Sequence, residues 1–135
     1  MTRMHDLMSS NLVTVELDDS LATVKEIFDS SSFHHLLVVE EGRLFGVVSD
    51  RDLLRAISPY VGTMVETTRD LATLNKRVHQ VMSRKPLTLR PEDPVGDAIR
   101  LFLEHGISCL PIVVEDLKPV GIVTWRDVLR ALAPR

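Results

Sequence analysis

The sequence predicts a mixed α+β fold with α/β-type layers, in which two copies of a β-α-β-β-α unit pack about a pseudo-two-fold axis. The first observation is an internal repeat. Shifting the chain over itself by 74 to 75 residues places Leu7-Met8-Ser9 on Val81-Met82-Ser83, Val13-Thr14-Val15 on Leu87-Thr88-Leu89, and Leu36-Leu37-Val38-Val39 on Leu110-Pro111-Ile112-Val113. The second is the near-identity of GVVSDRDLLRAI (46–57) and GIVTWRDVLRAL (121–132), which share Gly, Val, Arg, Asp, Leu, Arg and Ala in order. Composition alone predicts about one such match. The third is the copy number: two repeats are too few for a solenoid, so the copies are expected to pack on each other.

Each unit opens on a short alternating strand, Val13 to Val15 in the first copy. A helix follows, with Leu21, Val24, Ile27 and Phe28 at helical spacing and Asp19 expected as its N-cap. In the second copy Asp93 takes the cap, Pro94 the first helical position, and Val95, Ala98, Ile99 and Phe102 the apolar face. Two strands come next, Leu36 to Glu40 and Leu44 to Val48, joined through Glu41-Gly42-Arg43 as a hairpin. Their counterparts are Leu110 to Val114 and Val120 to Val123. A last helix runs from Asp50 to Ile57, and from Trp125 to Leu132. Ser58-Pro59-Tyr60-Val61-Gly62 then breaks the chain. Residues 66 to 81 predict a connecting helix that packs through Leu71, Leu74, Val78 and Val81. The expected division is 1–60 for the first repeat, 61–79 for the connection and 80–135 for the second repeat.

Composition excludes several function classes. A length of 135 residues with 44% hydrophobic residues is enough for one core or two small ones sharing it. A net charge of −3 argues against nucleic acid or anionic lipid as a partner. The single cysteine, Cys109, rules out an internal disulfide and fits a reducing cytoplasm. The N-terminal MTRMHDLMSSN carries Arg3, His5 and Asp6, so it predicts neither a signal peptide nor an anchor, and the apolar runs are of strand length. No Gly-x-Ser-x-Gly elbow, Walker loop or metal-ligand cluster is present, so no enzyme is expected.

The motif that ends each unit has two physical readings. Ser49-x-x-Asp52 and Thr124-x-x-Asp127 match a capping box, in which a hydroxyl and the residue three positions on satisfy orphan N–H groups at a helix start. Such a cap is worth about 1 kcal/mol. Glu or Gln fills the third position best, yet both copies carry Asp. A hydroxyl and a carboxylate at a helix start could equally receive a ligand, the carboxylate taking a cis-diol and the helix end an anion. The residues by themselves leave both readings open.

The order Gly-apolar-apolar-Ser/Thr-x-x-Asp closing a β-α-β-β-α unit, present twice, resembles a tandem pair of CBS (cystathionine β-synthase) domains, the Bateman module. Leu7-Met8, Val81-Met82 and Leu110-Pro111-Ile112-Val113 match that pattern as well, and the similarity runs from about Met4 to Leu132. The resemblance implies a stand-alone, non-enzymatic, cytoplasmic regulatory module built of two CBS repeats. It binds AMP, ADP, ATP or S-adenosylmethionine in clefts between the repeats and requires no other cofactor. Pairing of two modules makes a homodimer the expected assembly; the regulated partner protein is not identified by it. Carried over by position, Asp52 and Asp127 would hold the ribose, and Ser49 and Thr124 would offer hydroxyls to ribose or phosphate. Phe33 and Val47 would line the adenine slot of the first copy, Ile107 and Ile122 that of the second. His34, His35, Ser108, Asp19, Asp93, Arg51 and Arg126 are further candidates for phosphate or base. Adjacent His34 and His35 point to opposite faces of a strand, which argues against a metal site. With Ser108-Cys109 in place of the two histidines, and Leu37 in place of Pro111, the two sites are not expected to be equivalent. If only one site takes a phosphate-bearing ligand, the first copy, with His34 and His35, is the expected one. The competing reading is a structural or protein-interaction module in which both motifs only cap helices.

Overall fold

The computed structural model describes residues 2–134. Residues 1 and 135, the outer limits of the division expected from sequence, lie outside the described residues. The chain forms α1 (Met4–Leu7), β1 (Thr14–Val15), α2 (Leu21–Asp29), β2 (His35–Glu40), β3 (Arg43–Ser49), α3 (Asp50–Ala56), α4 (Thr68–Ala72), α5 (Val78–Val81), β4 (Ser83–Arg84), α6 (Val95–His105), β5 (Cys109–Val114), β6 (Lys118–Thr124) and α7 (Trp125–Leu132). It is a mixed α and β fold in which the repeat is visible element by element.

One compact unit comprises Val13–Glu41 and Phe45–Lys85. Its sheet runs β1-β2-β3-β4. β1 is parallel to β2, with Thr14 opposite Leu37, and β4 is antiparallel to β3, with Ser83 opposite Val47. The β2–β3 hairpin turns through Glu41 and Gly42, both at positive φ, as a two-residue turn of type I′ requires. Leu21 and Val24 of α2, Leu36 and Val38 of β2, Val48 of β3, Leu53 of α3, and Val78 and Met82 form the core.

The second unit gathers the stretch ending at Leu12, Gly42–Leu44 and the stretch from Pro86 onward. β5 and β6 pair antiparallel from Cys109 opposite Thr124 to Val114 opposite Lys118. Leu89 adds a parallel bridge to Ile112, and Ser9 an antiparallel bridge to Ile122. The strand order of the first sheet is thereby reproduced in shorter form. Met4, Ala98 of α6, Leu110, Ile112, Val123 and Val128 of α7 form this core.

The units are thus completed by exchanged segments. The stretch around α1 closes the sheet of the second repeat, and the stretch around α5 closes that of the first. The hydrogen bonds are the same in both: Met4 N–H donates to the Asp93 carbonyl and Val78 N–H to the Asp19 carbonyl, each at 2.9 Å. Val95 N–H donates to the Thr2 carbonyl and Leu21 N–H to the Lys76 carbonyl, again at 2.9 Å. A division by sequence order therefore does not coincide with the compact units, because each exchanged segment finds its open sheet edge and its apolar pocket on the other repeat.

Two local expectations need correction. Asp19 and Asp93 do not cap α2 and α6. The Asp19 carboxylate accepts from Glu16 N–H at 2.8 Å and that of Asp93 from Arg90 N–H at 2.7 Å, so each closes the turn before its helix. Ser20 caps α2 by accepting from Thr23 N–H, and Pro94 precedes α6 as a cap without a side-chain hydrogen bond, rather than as its first residue. The predicted 66–81 helix is also broken: α4 is followed by a 3₁₀ turn, Thr73–Asn75, and the chain is extended at Lys76 and Arg77 before α5. Val78 is fully buried while Leu71 is exposed. The break lets residues 76–78 bond to the first repeat as an edge, which a continuous helix cannot do.

Candidate functional site

β3 and β6 are apolar strands, and each hands its last residue to a helix as the cap. In the first repeat Ser49 is the N-cap of α3. Its Oγ accepts from Asp52 N–H at 3.1 Å, and its own N–H donates to Asp52 Oδ2 at 2.8 Å. Thr124 and Asp127 repeat this at α7: Oγ1 accepts from Asp127 N–H at 3.3 Å and Thr124 N–H donates to Oδ2 at 2.8 Å. The Thr124 hydroxyl also lies 3.1 Å from that oxygen. All four residues are partly exposed. The cap engages Oδ2 of each carboxylate; Oδ1 takes no part in it. Asp suffices at a position where Glu is usual because the reciprocal bond is already short.

The remaining candidates distribute around these boxes. Val47 is buried and, being adjacent to the core residue Val48, lies on the opposite sheet face from the helices; Ile122 stands in the same relation to Val123. Phe33 is partly buried just before β2. Ile107, its counterpart, packs against the second core. Arg51 and Arg126 are exposed at the second residue of α3 and α7 respectively, and Ser108 is exposed before β5. Asp19 and Asp93 are occupied with their turns, as described above.

His34 and His35 separate. His34 is exposed, with Nδ1 2.9 Å from Asp50 Oδ2, and its carbonyl accepts from Asp50 N–H at 3.0 Å. His35 is partly buried, and burial holds its imidazole below the ordinary histidine value, opposed in part by the Asp50 carboxylate. Asp50 was not among the candidates from sequence. Its partner lies sixteen residues earlier, across a hairpin, and only folding the two strands back on each other brings the pair together. At the corresponding places the second repeat carries Ser108, Cys109 and Trp125. Among the described residues there is no group of three or more His, Cys, Asp or Glu that could hold a metal ion. No helix among them is long and apolar enough to cross a membrane.

Two boxes of this geometry fall one within each of the segments matched by a family model for the CBS domain, residues 4–59 and 78–134. The chain belongs to the CBS domain family. A CBS domain-containing protein of Dictyostelium discoideum is 33% identical over 128 residues, covering 93% of this chain and 88% of the relative. Some curated relatives are much longer: the chain spans 24% of the L-aspartate semialdehyde sulfurtransferase of Methanosarcina acetivorans, at 28% identity. Among solved structures, the CBS domain pair of protein MJ0100 in complex with 5′-methylthioadenosine and S-adenosyl-L-methionine superimposes with a TM-score of 0.80 at 26% identity, covering 98% of this chain and 96% of that one. CBSX2 in complex with AMP superimposes with a TM-score of 0.79 at 30% identity, with the same coverage of both chains. The CBS fold expected from the duplicated motif is therefore the fold this chain has.

Proposed function

We propose that this CBS pair is a non-enzymatic regulatory module that binds an adenosine-containing ligand, AMP, ADP, ATP or S-adenosylmethionine, through its two Ser/Thr-x-x-Asp boxes. The observation that carries the reading is the duplicated box itself: a hydroxyl and a carboxylate fixed by a cap that uses only Oδ2 of Asp52 and of Asp127. Structural neighbours crystallised with AMP, with 5′-methylthioadenosine and with S-adenosyl-L-methionine support the ligand class.

A ribose cis-diol offers two donors to such a carboxylate, each charge-assisted bond being worth about 1.5 to 3 kcal/mol. A micromolar site needs about 8 kcal/mol, so apolar contact with the base supplies the rest. Val47 and Ile122, with Phe33 and Ile107, are the proposed adenine contacts. Arg51, Arg126, His34, His35 and Ser108 are the proposed neighbours of phosphate or base. A ligand changes the shape or partner contacts of the module only to the extent that it binds one state better than another. A cytoplasmic homodimer is part of the same reading, and the exposed Trp125, Leu129 and Leu132 on α7 support an assembly surface.

Titration calorimetry of nucleotide-stripped protein with ATP, ADP, AMP and S-adenosylmethionine tests the proposal. Heat from at least one ligand, reduced in Asp52→Ala or Asp127→Ala, is the expected outcome. A second reading, a structural or interaction module, is favoured by the fact that both boxes are closed as caps. Heat from none of the four ligands selects it.

A further inference from the structure

We propose that Asp50 makes the first repeat discriminate against negative charge on its adenosine ligand, whereas the second repeat, with Trp125 in that place, does not discriminate. The inference rests on the nucleotide reading above and reverses the charge preference that two histidines in the first repeat suggest.

Asp50 lies two residues before Asp52 in the first turn of α3. His34, just before β2, contacts it; His35, the first residue of β2, lies close enough to feel its charge and that of Asp52; Arg51 and Asp52 follow it on its own helix. The contact with His34 is an ion pair only when the imidazole is protonated. With both imidazoles neutral, the box carries two carboxylates against one guanidinium. The box of the second repeat carries Asp127 against Arg126, with an indole beside them, and the two charges balance. His34 therefore brings no spare cation to the first repeat: its one resolved side-chain partner is a carboxylate whose charge it can at most cancel. Each phosphate added to an adenosine held at Asp52 meets the uncancelled charge of Asp50.

The effect is moderate because the Asp50 side chain is 42% exposed. One extra unit charge near a ligand phosphate in a partly solvated site changes affinity by about three- to tenfold at low salt, and by less at high salt.

The test uses the full chain, with Asp127→Ala to report on the first repeat and Asp52→Ala to report on the second. The dissociation constants of adenosine and ATP are measured by calorimetry at about pH 8, above the ordinary histidine range. The ratio of the ATP constant to the adenosine constant is expected to be about three- to tenfold higher at the first repeat than at the second. Asp50→Asn is expected to bring the first-repeat ratio down to that of the second, and Trp125→Asp to raise the second. A purely structural role for Asp50 would change stability without moving the ratio. Should an alanine variant unfold, Asp127→Asn or Asp52→Asn keeps an amide for the cap. Equal ratios at the two repeats, unmoved by Asp50→Asn while adenosine still binds, overturn the inference alone. Failure of the parent to bind either ligand overturns the nucleotide reading and this inference with it.

Discussion

The side chain of Met82 occupies the space in front of Gly46: a Cβ built on that glycine comes within 2.8 Å of the methionine sulfur and 2.6 Å of the Ser83 carbonyl oxygen. Met8 stands in the same relation to Gly121, where its Cγ lies 2.8 Å from the built Cβ. The glycine that opens each motif is thus the site where an exchanged segment approaches the sheet. Neither glycine has a positive φ, so close approach, not backbone freedom, selects the residue. Gly46→Ala and Gly121→Ala are each expected to destabilise the fold by about 1 to 3 kcal/mol through overpacking. Met82→Ala combined with Gly46→Ala should recover part of the loss of the glycine variant alone. Urea midpoints check both expectations, and a Gly46→Ala protein as stable as its parent would show that Met82 and Ser83 give way freely.

Met4 is fully buried in the second core although it lies at the other end of the sequence. Met4→Ala should cost about 2 to 5 kcal/mol, the range for large-to-small changes in a core. Hydrogen exchange should accelerate first in β5, β6 and α7 and leave β2 and β3 protected. The opposite distribution would place the N-terminal segment on the first repeat.

Removing a cap hydroxyl leaves a helix N–H without its partner. Ser49→Ala and Thr124→Ala are each expected to lower stability by about 1 kcal/mol. The two losses should add, since the caps share no partner. Denaturant titration of the single and double variants measures both statements.

Acidification should weaken the first repeat through His35. Burial sets its folded pKa below the unfolded value of 6.5, so the unfolded chain takes up the proton more readily. The contribution is fully present above the unfolded value and is lost as pH falls from there through the folded one. His35→Gln should flatten the stability profile across that window, as read by thermal melts at a series of pH values. An unchanged profile would mean that another group carries the acid sensitivity.

Much of the architecture was legible from residue spacing. The β2–β3 hairpin followed from two apolar runs around Glu41-Gly42, and α7 begins at Trp125 and ends at Leu132, the bounds read from the periodicity. The Ser49–Asp52 and Thr124–Asp127 boxes were legible because capping is local: donor and acceptor sit three residues apart. Asp19 misled because an Asp just ahead of a helix fits equally well as a cap and as the closing residue of the preceding turn. Side-chain direction decides between them, and spacing does not encode it. The connecting helix misled for a related reason: Leu71, Leu74 and Val78 keep helical spacing across a chain that is extended at Lys76 and Arg77. There the tertiary hydrogen bonds from Leu21 and Val78 outweigh the local pattern.

By itself, the sequence determined that this protein is a duplicated β-α-β-β-α chain with a capped helix after each hairpin, because those features depend on neighbours within a few residues. Only the tertiary structure decided that α1 belongs with the second core and α5 with the first. Met8 and Met82 are similar residues in similar surroundings, so either could be matched to either glycine on paper. Closure of a real sheet edge and burial of Met4 and Val78 choose one pairing. Tertiary structure also joined His34 to Asp50, because charge pairing acts through space and sixteen residues of hairpin lie between them.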